Sequence, residues 1–189
     1  MQGESMHRII QRTTRLFSQF AATGAWLSMA VLFLMVFVNS VRRYVIGKSF
    51  EWGEELPIFI AIYGVMFGVA WAYIQDRHIN FSMLVRFLSE SLARKLNILV
   101  DLIMVVNGVL LTYSGWMFVI KRGRLEASGI INLAKDLKAL TGWDHMIWLG
   151  HQYPYQAAMF LGGIMLTVAA LLKLIQRLAE NAEFKPSLG

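Results

Sequence analysis

Two apolar runs, residues 20–41 and 56–74, are separated only by the short polar stretch 42–55. Each is close to the ~20 residues of helix needed to cross a hydrocarbon core. A link this short has room for a turn at the membrane surface and little else. Two further runs of the same kind occupy 97–120 and 156–174. The chain is 57% hydrophobic and only 16% charged, with a mean hydropathy of +0.51, which is too apolar for a soluble domain. The net charge of +6 would suit nucleic acid, but the cations lie beside the apolar runs, where lipid headgroups would meet them. The expected fold is therefore an all-α integral membrane protein, one membrane domain over 1–189 with four transmembrane helices plus amphipathic interfacial helices.

Those surface helices are predicted at about 6–19 and 81–93. In the first, Ile9, Ile10, Leu16 and Phe17 share a face from which Arg8, Arg12 and Arg15 turn away. No small-x-small site follows the first apolar run, so the segment reads as a retained signal anchor. In the second, Phe81, Leu84, Val85 and Leu88 oppose Ser82, Arg86 and Ser89. The extramembrane segment 121–153 holds Ile130, Leu133, Ala134, Leu137 and Leu140 at helical spacing, ended by Gly142-Trp143. Trp143, Trp148, Tyr153 and Tyr155 suggest a segment resting on the membrane surface.

The hairpin between the first two runs sets Arg42, Arg43 and Lys48 against Glu51, Glu54 and Glu55, with Tyr44 and Trp52 as interfacial anchors. The glutamates complement the positive end of a helix dipole, or they pair with Arg43 or with a basic group on a partner. Gly64 and Gly68 form a G-x-x-x-G, a surface for close helix packing within the chain or against another. His78 is read as a structural hydrogen-bonding residue at the surface, or as a pH-sensitive or metal-binding group. Asp101, near the start of the third run, is close enough to the surface to reach water or to pair with Arg94 or Lys95. Asn107, Gly108, Thr112, Ser114 and Gly115 make that run the most polar of the four and suit interhelical hydrogen bonds.

Several function classes lose support at this point. No ionisable residue lies near the centre of a predicted span, as an ion relay would require, and no span is broken by proline. The histidines, His7, His78, His145 and His151, lie outside the spans, which disfavours a haem-holding anchor of a membrane redox complex. A small self-assembling exporter would carry a central carboxylate, and Asp101 lies near an end. Asp144, His145 and His151 fit no common zinc spacing. Neither a metal nor a cofactor is expected, and cysteine chemistry is excluded because the chain has none.

Arg43-Tyr44 closing the first run, Trp52-x-Glu54-Glu55-Leu56 opening the second, then Gly68 and His78-Ile79, resemble the small membrane subunit (DctQ family) of tripartite ATP-independent periplasmic (TRAP) transporters. That family continues from its histidine-isoleucine step to an aspartate, where this chain has Ser82. The resemblance implies a non-catalytic scaffold for a large membrane subunit that carries the substrate and sodium sites. It also implies a periplasmic solute-binding protein, uptake of an organic acid, and residence in a bacterial inner membrane. The candidate partner contacts are Arg43, Trp52, Glu54, Glu55, Gly64, Gly68 and His78. With four spans, ten Lys and Arg fall on the side of both termini and eight on the other, which favours N-in and C-in. The segment 121–153 would then face the periplasm, where it could meet the binding protein.

Overall fold

The computed structural model describes residues 2–75 and 89–183. Five α-helices account for most of them: α1 (Gln2–Ile46), α2 (Glu55–Ile74), α3 (Glu90–Arg122), α4 (Ile131–Thr141) and α5 (Tyr153–Glu183). Short 3-10 turns at Glu51–Gly53 and Asp144–Gly150 lead into α2 and α5, and no strand occurs among the described residues. Four of these helices, α1, α2, α3 and α5, are long and apolar enough to cross a membrane. The all-α, four-span expectation holds.

The helices are not packed in chain order. α1 lies against α2, α2 against α5, and α5 most extensively against α3, so α2 and α5 form the middle of the bundle. Small residues fill much of the core: Ala21, Ala70, Ala158, Ala169 and Ala170 are wholly buried, beside Tyr73, Ile74 and Met165. Large apolar side chains point outward, Trp26 being 71% and Phe33 67% exposed. This arrangement suits lipid, which offers no reason to hide a leucine but rewards close backbone approach.

Glycines set that approach. On α5 the doublet Gly162-Gly163 serves two neighbours at once: a Cβ at Gly162 would meet Met66 of α2, and one at Gly163 would come within 2.7 Å of the Thr112 Cα on α3. From α3, a Cβ on Gly108 would lie 2.8 Å from the Thr167 backbone nitrogen, and one on Gly115 2.6 Å from the Phe160 Cα. The G-x-x-x-G of α2 is divided. Gly64 faces Ser28 and Met29 of α1, whereas a Cβ on Gly68 would have nothing within 4 Å.

Two expectations are revised. The segment 6–19 is not a separate surface helix but part of α1, which runs unbroken for 45 residues, about 68 Å. Nothing between Met6 and Thr23 stops a helix, and the bundle holds this part. Thr14 accepts a 2.8 Å hydrogen bond from the Gln176 amide of α5, and Phe17 packs on the cluster around Tyr73 and Ala169. Asn107 and Thr112 of α3 do not bond across helices as expected. The Asn107 amide donates to the Ile103 carbonyl and the Thr112 hydroxyl to the Gly108 carbonyl, both at 2.8 Å and both within α3. Where backbones meet this closely, a hydroxyl is satisfied most cheaply by its own preceding turn. The expected helix at 81–93 lies largely outside the described residues, and α3 begins only at Glu90.

Candidate functional site

Polar side chains gather at the two ends of the bundle. At the hairpin end, α1 stops at Ile46 because Gly47 takes a left-handed conformation, φ +74°, with its N–H returning to the Arg43 carbonyl. Asn39, one turn above Arg43, clasps the chain as it comes back. Its amide oxygen accepts the Phe50 N–H at 2.9 Å and its nitrogen donates to the Gly53 carbonyl at 3.3 Å. Phe50 stacks on Trp52 at 4.7 Å between centroids, and the Arg42 guanidinium lies 3.9 Å from the Phe50 ring centre. Trp52 is thus an internal part of the turn, held by stacking.

The hairpin carboxylates do not turn toward Arg43. Glu55 accepts the Ser128 hydroxyl at 2.8 Å and the Gly129 N–H at 3.1 Å, and Glu51 accepts the Asn132 amide at 2.7 Å. Two anions from the 42–56 stretch therefore hold the loop and first turn of α4. Of the readings open to these glutamates, pairing of Glu55 with Arg43 does not occur, because 121–153 folds back onto the hairpin and presents donors to Glu55, while Arg43 stays exposed. Glu54 is exposed as well. His78 lies outside the described residues.

The segment 121–153 is itself closed. The Ala127 N–H bonds to the Gly150 carbonyl and the Gln152 N–H to the Leu125 carbonyl, pinning its two limbs together. α4 ends, as its sequence predicts, at Gly142 with φ +71°. Lys138 then bridges to Asp144 at 2.7 Å, and this hydrogen bond and charge lower the Asp144 pKa. Leu140, Trp143 and Trp148 are left exposed, at 83%, 67% and 53%. The Tyr63 hydroxyl of α2 donates to the Pro154 carbonyl at the start of α5, and Phe59 stacks on Tyr155 at 4.3 Å.

At the opposite end lies Asp101, which is 1% exposed. Its partners come from other helices. Arg177 of α5 approaches to 2.9 Å and also donates to the Asn97 carbonyl at 3.0 Å, and the Tyr73 hydroxyl of α2 donates to the second carboxylate oxygen. The expected pairing with Arg94 or Lys95, or with water, is replaced by this junction of three helices. Among the described residues no group of three His, Asp or Glu is placed to hold a metal.

Of these groups the sequence singles out Asp101 and Glu55; Asn39, Tyr73, Ser128, Gly129 and Arg177 emerge only from the fold. A tyrosine one residue inside the end of an apolar run was the available signal for Tyr73. Residues 32–180 match the family described as the DctQ component of tripartite ATP-independent periplasmic transporters. The chain belongs to the DctQ family. The match takes in α2, α3, α4, the last third of α1 and nearly all of α5, so both polar clusters lie within the DctQ portion. A comparison with curated proteins gave no match. As a DctQ protein it is the small membrane component of a TRAP transporter.

Proposed function

We propose that this DctQ subunit is a non-catalytic scaffold for the large membrane subunit of a sodium-coupled TRAP transporter, which takes up an organic acid delivered by a periplasmic binding protein. The observation that carries the reading is the state of Asp101. It is the one buried charge among the described residues, and its carboxylate is already engaged by Arg177 and Tyr73. A translocation site needs a group free to exchange partners, or helix ends exposed inside the bundle, and α2 runs from Glu55 to Ile74 without a break.

Of the candidate contacts, Arg43, Glu54 and Gly68 are those that face outward, and they are assigned to the large subunit. Trp52, Glu55 and Gly64 support them from within the chain. The chain sits in a bacterial inner membrane with both termini in the cytoplasm, which places α4 and the hairpin on the periplasmic side.

Reconstitution tests this reading. The purified chain in liposomes under a sodium gradient should move no solute, and adding the large subunit and binding protein should restore uptake. Solute uptake by the chain alone would overturn the scaffold reading. A reporter fused at Gly189 should be active only in its cytoplasmic form; activity only in the periplasmic form would reverse the orientation.

A further inference from the structure

Two grooves adjoin at Tyr113, one on each side of it around α3. The first, about 360 Å³, passes Ser114, Met117 and Phe118 and ends at Lys121 and Arg122. The second, about 420 Å³, follows the seam between α3 and α5, with Val109, Thr112 and Trp116 on one wall and Phe160, Ile164 and Val168 on the other. No carboxylate lines either groove. Lys121 and Arg122 are exposed and make no ion pair among the described residues; Arg122 has only the Phe118 ring, 5.4 Å from its guanidinium carbon to the centroid.

We infer that these grooves are one binding site for an anionic phospholipid, with its phosphate on Lys121 and Arg122 and an acyl chain along the α3–α5 seam. Length supports this. From Lys121 down to Val109 the helix descends about 18 Å, close to the depth of one leaflet, half of a ~30 Å core. Charge supports it too, since an arginine fork and a lysine at the end of a membrane helix are suited to phosphate oxygens. The seam asks for an apolar occupant. Thr112 and Thr167, which flank it, spend their hydroxyls on the Gly108 and Gly163 carbonyls of their own helices. A free phosphate would satisfy only the upper end and an apolar partner helix only the lower; a phospholipid satisfies both. The site is independent of the scaffold assignment and of the orientation of the chain.

Native mass spectrometry of the full-length chain, delipidated in detergent, tests the inference with phosphatidylglycerol and phosphatidylcholine of matched acyl chains. The anionic lipid should bind on the order of tenfold more tightly, as two cations at the headgroup level imply. Lys121→Gln with Arg122→Gln should abolish that preference, and Lys48→Gln with Lys135→Gln, at exposed cations of the same end, should leave it intact. Val109→Trp, which fills the seam and keeps both cations, should weaken both lipids several-fold. Circular dichroism checks that each variant keeps its helices. An unchanged preference in the Lys121/Arg122 variant would overturn the site, as would equal loss in the Lys48/Lys135 variant. Displacement of the lipid by glycerol phosphate would make it a free-anion site, and loss of the bound lipid on adding the large subunit would assign the groove to that subunit.

Discussion

Asp101 shows how a single charge can be tolerated inside a bundle of alanines and glycines. A buried carboxylate is stable only when its charge is compensated, and here Arg177 supplies the charge and Tyr73 a further hydrogen bond. The sequence shows the carboxylate but not this compensation. Arg94 stands two helical turns from Asp101 on the same helix, beyond the one-turn reach of side-chain pairs. The actual partner comes from α5, through a packing order that nothing local to Asp101 encodes. Arg177→Met should therefore leave an unpaired charge and cost about 3–5 kcal/mol, at the lower end because the Arg177 side chain remains 24% exposed. Adding Asp101→Asn should recover much of that loss. Unfolding in mild detergent followed by circular dichroism gives the double-mutant cycle; a neutral Arg177→Met would show that the pair contributes nothing to the fold.

At the scale of the helices, the spans were legible because run length against bilayer thickness is a strong constraint, and α4 because its apolar period and Gly142 agree. The order in which the helices pack was not legible. α3 and α5 meet through Gly108, Gly115 and Gly163; the sequence marks Gly108 and Gly163 as close-packing residues but not which helix each one meets. The pattern on α2 was visible, yet only Gly64 meets α1; Gly68 has open space beside it. The two kinds of glycine predict opposite signs on substitution. Gly68→Ala should stabilise the isolated chain by about 0.5–1 kcal/mol, since alanine loses less backbone freedom in a helix. Gly163→Ala and Gly108→Ala should destabilise it by about 1–3 kcal/mol, because the added methyl group strikes backbone on the facing helix. Thermal unfolding in detergent distinguishes the outcomes. Equal shifts for Gly68 and Gly163 would mean that the α3–α5 seam is looser than its geometry implies.

For the whole molecule, the hairpin and the segment 121–153 form one folded cap rather than a turn and a separate loop, because Glu51 and Glu55 spend their carboxylates on Asn132, Ser128 and Gly129. The cap presents Leu140, Trp143 and Trp148 outward on a base fixed to α2, and on the proposed orientation this apolar surface is the one offered to the binding protein. Deleting the segment would strip Glu55 of its partners and confuse a loss of docking with damage to the hairpin. Glu55→Ala is the cleaner probe: it removes two bonds to a charged acceptor, each worth roughly 1.5–3 kcal/mol and less where solvent reaches them, and leaves every other residue in place. Trypsin should then cut faster at Arg124, which lies in the released loop. If the cap serves the binding protein, uptake by the full transporter should fall several-fold while the two membrane subunits still co-purify. If Glu55 instead held the large subunit directly, co-purification would fail together with uptake. Faster cleavage with full uptake would leave the cap as structure alone and remove its role in docking.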